Sequence, residues 1–359
     1  MFRNPDGMGS AKAFEAVERS LLAKRNAWGR RHGNDPGRGN YEFNNFLIPD
    51  VGLAPVFEFQ VLISLFVIGI GPVNYWLLNR RGQLPLLLVT VPAAAVATTL
   101  VLFAYGFLSE GIGTRVRVRS FTMLDQPSGE AVCWARLSYY AGIAPADGLR
   151  MPADAAVYPI LPYSSSSYRS ANRYANQPRE LLWDDASAEL PQHLSRGWLA
   201  ARTPTQYLTI TSQPTNKRIE FELSDDGLRA TNQLGVDVST LAVQDDKGNF
   251  YLSGKIAAGE SVPLTTSNKT KVMTAMRALL ASHEPQFPAG GEVISRRRYN
   301  RNSLSQNLME NELAAITSPM VQEWGNRTYI AITAQGVELN LGLEYAIEQD
   351  SCHVIRGSW

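Results

Sequence analysis

The sequence predicts two joined parts: an α-helical transmembrane hairpin and a mainly-β, sandwich-like soluble domain with one or two helices. Two apolar runs, 56–78 and 84–108, each reach the roughly 20 residues that a helix needs to cross the hydrocarbon core of a bilayer. Only the short turn 79–83 separates them. Beyond residue 109, short alternating or β-branched segments alternate with turn residues, which favours a sandwich over a parallel sheet.

These patterns divide the chain into four segments. They are a polar lead at 1–55, the hairpin at 56–108, a sandwich-like domain at 109–265 and a helix-containing C-terminal part at 266–359 that packs on it. One amphipathic helix is predicted in the lead, from Ser10, a suitable N-cap, to about Ala27. It is expected either on the lipid surface or packed against the soluble domain or a partner, and the sequence leaves both open.

Three residues within the two apolar runs are expected to shape the hairpin. Pro72 and Pro92 each remove a backbone hydrogen bond and can bend their helices. Asn74 is a polar amide near the membrane surface and is expected to bond across to the second helix. The cores of both runs lack Asp, Lys, Arg and His, which favours an anchor over a transport path. The first run also starts too far into the chain, and is too long, for a signal peptide.

The arginines of the short turn predict the orientation. Arg80 and Arg81 place the turn in the cytoplasm by the positive-inside rule, so the soluble domain is expected outside the cytoplasm. Arg115, Arg117 and Arg119 follow the second run and argue for the opposite orientation. They alternate with valines, as on one face of a folded strand, and folded domains are weaker determinants than short loops. The predicted location is therefore the cell membrane, as a multi-pass envelope protein.

The soluble part contains several candidate strands and helices. Strands are predicted at 114–124, 131–140, 205–212, 217–224, 238–245, 249–254 and 328–334. Helices are predicted at 267–282 and 303–316, where apolar residues recur at helical spacing.

Composition excludes several classes of function. A net charge of +1 over 359 residues gives no basis for nucleic-acid binding. The four histidines are scattered and no CxxC occurs, so no metal site is expected, and no phosphate- or dinucleotide-binding motif indicates a cofactor. The two cysteines, Cys133 and Cys352, are expected to be buried thiols. If both lie outside the cytoplasm, one disulfide is the alternative.

No motif specifies catalysis. The chain has no GxSxG, and only the serine tract 164–167 with Asp184, Asp185 and His193 could be assembled into a hydrolytic site. Serines in such a loop are weak support, so no catalytic residue is assigned and no enzyme activity is expected. An envelope hydrolase that uses this loop remains an alternative.

The predicted function is therefore that of a binding module held at a membrane. Its partners would be the lipid bilayer and a protein of the membrane or envelope. The alternative is an accessory subunit of a membrane transport or secretion complex. Tyrosines and arginines suit interfaces, and the candidate interaction surface comprises Tyr163, Tyr168, Tyr174, Arg296, Arg297 and Arg298.

Particular motifs resemble a family of uncharacterised bacterial two-span membrane proteins. They are GPVNY at 71–75, the Val-Pro step at 91–92, and the run 232–264 with its N-x-L-G opening, D-x-x-G turn and A-G-E closing. GNRTYIAI at 325–332 is similar more loosely. The resemblance implies an extracytoplasmic β-sandwich. Larger members also carry a glutamine-amidotransferase-like or flavodoxin-like domain before the first span. Only 55 residues precede it here, so a shortened version or a start further upstream is expected.

Overall fold

The computed structural model describes a mainly β protein with a few helices. The described residues are 31–34, 39–49, 51, 56–110, 113–163, 178–224, 227–286, 303–318 and 324–359. Two of the helical segments are long and apolar enough to cross a membrane. The helix predicted at 10–27 lies outside the described residues.

The hairpin, residues 56–110, contains two helical arms joined by a tight turn. The first arm consists of α1 (Val56–Ile68), a π-helical turn (Gly69–Val73) and α2 (Asn74–Arg80). The second begins with a 3-10 turn (Leu84–Leu86) and continues as α3 (Leu87–Glu110). Pro72 lies inside the π-helical turn, where the altered hydrogen-bond spacing accommodates its missing N–H. Pro92 lies within α3.

The rest of the described chain is built around an eleven-stranded sheet. The strands are β1 (Gly39–Asn40), β2 (Thr114–Asp125), β3 (Glu130–Ala141), β4 (Leu149–Met151), β5 (Ala156–Pro162), β6 (Leu181–Trp183), β7 (Gln192–Leu194), β8 (Thr205–Pro214), β9 (Arg218–Ser224), β10 (Gly227–Gln233), β11 (Val238–Gln244), β12 (Phe250–Ser253), β13 (Ser261–Pro263), β14 (Thr265–Ser267), β15 (Thr328–Thr333), β16 (Ile347–Glu348) and β17 (Cys352–Ser358). The large sheet has the order β1-β5-β8-β3-β2-β17-β15-β11-β12-β14, and β16 pairs with the start of β2.

The long hairpin of β2 and β3 forms the centre of this sheet. These strands pair antiparallel over 12 residues each, from Thr114 opposite Ala141 to Asp125 opposite Glu130. β17 is parallel to β2, and β15 lies between β17 and β11. Strands from the last 35 residues of the chain therefore occupy the middle of the sheet.

Two small three-stranded sheets, β13-β10-β9 and β4-β7-β6, supply residues to the apolar core on one face of the large sheet. Ile219 and Leu228 of the first pack in one cluster with Leu124 of β2. Leu149 and Leu194 of the second pack in another cluster that contains Val118 and Leu137.

The opposite face carries helices α4 (Lys269–Ser282) and α5 (Leu308–Thr317). Val272 and Met276 of α4 and Leu313 of α5 share a core cluster with Phe121 of β2. Asn268 caps α4 because its side chain accepts a hydrogen bond from the Lys271 N–H. Apolar residues at helical spacing thus bury one stripe of each helix on the sheet.

The predicted strands are confirmed, as is the helix that the pattern placed at 267–282. The predicted helix at 303–316 is interrupted: a 3-10 turn (Leu304–Gln306) comes first, and Asn307 then caps α5 by accepting from the Glu310 N–H. Cys133 and Cys352 are both buried free thiols. They lie in clusters on opposite faces of the sheet, so the alternative of a disulfide is wrong.

Candidate functional site

The apolar surface of the hairpin is left open by the rest of the described chain. In the windows Phe59–Arg80 and Leu84–Tyr105, 6% and 0% of the residues are buried. Asn74 Nδ2 donates a 2.9 Å hydrogen bond to Thr90 Oγ1, so a polar pair joins the two arms. Such an exposed apolar surface on two adjacent helices suits a lipid environment.

Both connections of the hairpin meet the folded domain at the same end. On one side, α3 ends at Glu110 and β2 begins at Thr114. On the other, Gln349 Nε2 donates to the Pro49 carbonyl at 3.0 Å, and its Oε1 accepts from Arg115 Nη1 at 3.4 Å. The segment that leads to the first arm therefore lies beside the start of β2, the strand that follows the second arm.

Three buried arginines lie on the helix-bearing face of the large sheet. Arg117 and Arg119 of β2 and Arg136 of β3 form this arginine cluster, and each is 5% exposed or less. The Phe46 ring packs against two of them, with the guanidinium carbons of Arg117 and Arg136 each 4.7 Å from its centroid. Cation–π contacts of this kind gain strength when they are removed from water.

Carboxylates and carbonyl oxygens accept the hydrogen bonds of the arginine cluster. Arg119 forms a bidentate pair with Glu310, with Nε–Oε1 at 2.7 Å and Nη2–Oε2 at 3.0 Å. Arg117 Nη2 lies 2.5 Å from Asp350 Oδ2. Arg136 Nη2 instead donates to the Glu42 carbonyl at 2.7 Å and to Gln206 Oε1 at 3.0 Å. Because burial disfavours its charged form, the pKa of Arg136 falls to about 9.

The arginine cluster holds the segment that precedes the hairpin. Arg117 Nη1 donates to the Leu47 carbonyl at 3.0 Å, and the carboxylate of Glu42 accepts from the backbone N–H of Ser305 at 2.6 Å. The hydroxyls of Ser303 and Ser305 also donate to Glu42. These bonds fasten residues 42–47 between the sheet and the loop that leads into α5, which is a structural role for the charges.

A buried serine and histidine, together with a partly exposed glutamate, resemble a hydrolytic triad. His353 Nδ1 lies 2.9 Å from Ser120 Oγ, and its Nε2 lies 2.9 Å from Glu348 Oε2. The ring nitrogens are used in the reverse of the order found in the serine proteases, where Nε2 faces the nucleophile. Ser120 and His353 are each 1% exposed, so no substrate carbonyl can reach the hydroxyl. The arrangement ties β16 to β17 and β2.

The residues considered for hydrolysis are not assembled into a triad by the described part of the chain. Asp184 Oδ2 pairs with Arg150 Nη1 at 3.0 Å, and this hydrogen bond holds the pKa of Asp184 below its usual value. His193 Nε2 lies 2.5 Å from the Asp147 carbonyl oxygen. The serine tract 164–167 lies outside the described residues.

The candidate interaction surface is described only at Tyr163, which stacks on Tyr41 with ring centroids 3.6 Å apart. The other members, Tyr168, Tyr174, Arg296, Arg297 and Arg298, lie outside the described residues.

A different apolar surface was missed by the sequence pattern. The side chains of β6, an edge strand, are about half exposed at each of Leu181, Leu182 and Trp183. Exposed apolar edge strands are candidate contact surfaces.

No metal site is apparent within the ranges that the structure describes. No group of three or more His, Cys, Asp or Glu residues there could hold a metal ion. The cavity beside Trp324 and Arg356 has a volume of about 20 Å³, room for about one water molecule.

The motifs of the run 232–264 have structural roles. Asn232 is fully buried, its Oδ1 accepts from the Leu234 N–H at 3.1 Å, and its Nδ2 donates to the Val236 carbonyl at 2.8 Å. Gly259 N donates to the Asn232 carbonyl at 2.7 Å, which joins the A-G-E closing to the N-x-L-G opening. Asp245 Oδ1 accepts from the N–H groups of the turn that follows it. These contacts lie within the chain and stabilise the turns of this run.

Comparison with known proteins leaves the family open. No protein-family model and no curated protein matches this chain. Among solved structures, the chain is similar to the mu-homology domain of yeast delta-COP-I complexed with a Dsl1 WxWxV peptide. The identity is 8%, the match covers 68% of this chain and 96% of that chain, and the TM-score is 0.23. A similarity this low carries no argument about function. The class defined by the described residues is a β-rich domain joined to two exposed apolar helices.

Proposed function

We propose that this protein is a membrane-anchored binding module without catalytic activity of its own. The hairpin crosses the bilayer, and the β-rich domain binds a protein partner of the membrane or envelope. The observation that carries the proposal is that both connections of the hairpin lie at one end of the domain, beside Gln349. A helical hairpin that crosses and returns requires its two flanking segments on the same side of the membrane, and this geometry meets that requirement.

The proposed orientation places the turn 79–83 in the cytoplasm and the domain outside it. The two turn arginines support this orientation by the positive-inside rule. Burial of two of the three opposing charges also supports it. Arg117 and Arg119 pair with Asp350 and Glu310 inside the folded domain, so their charges do not face the membrane surface.

A binding role is favoured over catalysis by two features of the described residues. The one arrangement that resembles a hydrolytic triad is buried at Ser120. By contrast, β6 offers three consecutive exposed apolar side chains, of which Trp183 is 58% exposed. Large apolar residues at an exposed edge suit protein contacts.

A second candidate is an accessory subunit of a membrane transport or secretion complex. The specific observation is the open surface of the first arm at its π-helical turn. A Cβ added at Gly69 or at Gly71 would meet nothing within 4 Å. Small residues allow close approach of another helix.

The anchor is tested by removing the hairpin. Because Pro49 and Arg115 both contact Gln349, a short Gly/Ser linker in place of residues 50–112 can close the chain without moving the domain. The full chain should stay with membranes after alkaline carbonate washing. The excised variant should be released and should unfold cooperatively with a β-type circular dichroism spectrum. If the excised variant is folded yet remains in the carbonate-washed membranes, the hairpin is not the anchor.

The binding role is tested by photo-crosslinking in whole cells. A photoreactive amino acid replaces Trp183 in one variant and Leu223 in the other. Leu223 lies on β9, is 81% exposed and serves as the matched control. A discrete protein adduct is expected at Trp183 and not at Leu223. Equal adducts at both positions, or none at Trp183, would contradict β6 as the contact surface.

A further inference from the structure

Three exposed apolar side chains surround the point where α3 enters the sheet. Ile143 is 50% exposed, Tyr345 82% and Ile347 65%. We call these three residues the rim. Isolated exposed apolar residues are ordinary, but Ile347 lies in the sheet beside the start of β2, Tyr345 just precedes it, and Ile143 just follows the neighbouring strand β3.

Strand pairing places the rim around the start of β2. Gly142 N donates to the Gly113 carbonyl at 3.3 Å, so Ile143 follows directly on one side. On the other side, Ile347 pairs with Arg115 in the parallel register of β16. Adjacent strands are about 4.8 Å apart, so Ile143 and Ile347 flank Thr114 within about one strand on either side. Tyr345 precedes Ile347 by two residues.

The polypeptide connection keeps this end of the domain close to the end of α3. Three residues, 111–113, separate Glu110 from Thr114. At about 3.5 Å per residue, the fully extended connection spans at most about 14 Å. The second connection, from Pro49 to Val56, leaves from the same end. If the hairpin crosses the bilayer, both connections hold the rim towards the lipid headgroups.

We propose that the rim contacts the lipid bilayer and seats the domain on the membrane surface. This inference rests on the proposed function, because it requires the hairpin to be inserted. Tyrosine and isoleucine suit the headgroup boundary, where an aromatic ring can place its apolar body in lipid and its hydroxyl in water. The lipid-facing surface of the protein therefore continues from α3 onto the folded domain.

The experiment uses the full chain with one introduced cysteine in each variant. Cys133 and Cys352 are 2% and 4% exposed, so they should not compete for a thiol-reactive NBD fluorophore. The rim variants are I143C, Y345C and I347C. The control outside the rim is L223C, an apolar position that is 81% exposed, as Tyr345 is at 82%. Leu223 is four residues from Ile219, which bonds with Gln126 at the far end of β2, about 40 Å from the rim. V96C, on α3, reports insertion of the hairpin.

Each labelled protein is reconstituted into phosphatidylcholine vesicles with and without a lipid that carries a doxyl quencher near its headgroup. The rim probes should be quenched by this lipid and be at least about twofold less sensitive to aqueous iodide than the probe at 223. If V96C is quenched by lipid but the rim probes respond to iodide as 223 does, the rim proposal is overturned while the anchor stands. Rim probes shielded from both quenchers would indicate a protein cover and would also overturn it. Absence of lipid quenching at 96 would contradict the anchor itself.

Discussion

Breaking the ion pair between Arg119 and Glu310 should destabilise the protein far more than breaking its neighbour on the same helix. Arg119 and Glu310 side chains are 5% and 16% exposed and form two hydrogen bonds, at 2.7 and 3.0 Å. Removing one partner of a buried pair leaves an uncompensated charge and costs about 3–5 kcal/mol. We therefore expect E310Q to lower the free energy of unfolding by about 3 kcal/mol. For a domain of this size that corresponds to a fall in Tm of about 6–12 °C.

The same helix provides the matched control. Glu312 pairs with Arg356 at 3.2 Å, with side chains 32% and 33% exposed. Solvent screens such a pair, so E312Q should cost about 1 kcal/mol or less. Both variants are measured as full chains in one detergent, by thermal unfolding followed through tryptophan fluorescence. Equal falls in Tm for E310Q and E312Q would refute the argument from burial.

A double substitution separates the pair from the cost of an orphaned charge. Apolar side chains of similar size often replace a buried ion pair without loss of stability. The variant R119M/E310M should therefore melt above E310Q, although its Arg119 bond to the His283 carbonyl, 3.1 Å in the parent, is also lost. A double variant that melts below E310Q would show that the remaining contacts of Arg119 matter more than its charge.

Two further predictions concern buried side chains outside the arginine cluster. Burial raises the pKa of Cys133 to about 11 and also raises the pKa of Cys352. Both thiols should therefore resist iodoacetamide at pH 8 until the domain unfolds. Fast alkylation of the native protein, detected by mass spectrometry, would contradict this. The variant N232A should lower the free energy of unfolding by about 3 kcal/mol, because several backbone groups lose their hydrogen-bond partner. The control Q233A, at the exposed neighbouring residue, should change this free energy by about 0.5 kcal/mol or less. Both variants are measured in the same denaturant titration.

The hairpin and the long strands could be predicted because their signals are local. A run of about twenty apolar residues predicts a helix by its length, and valines that alternate with arginines along β2 predict a strand by their period. Neither prediction needs knowledge of a partner element. Short strands carry a weaker signal. β17, with Cys352 and His353, was missed because a central strand buried on both faces shows no alternation. β10 was missed because GLRATNQ offers few β-branched residues.

The arginine cluster could be predicted only in part. Alternation correctly places Arg115, Arg117 and Arg119 on one face of a strand, but alternating charges next to a hydrophobic strand normally indicate a solvated face. The burial of Arg119 and Arg117 depends on Glu310 and Asp350, which lie about 190 and 230 residues away along the chain. Sequence spacing holds no information about such pairs. The triad-like contact of Ser120 with His353 escapes sequence reasoning for the same reason.

The position of the arginine cluster has a consequence for the hairpin. Arg117 and Arg136 hold residues 42–47, which precede the first arm, while β2 begins shortly after the second arm. One pair of adjacent strands therefore supports both connections. In the proposed anchored protein, these contacts at both connections would limit how far the domain can tilt relative to the two helices. Loosening the first connection, for example by removing the Phe46 ring that packs against the two guanidinium groups, should then free the domain to tilt without releasing the anchor.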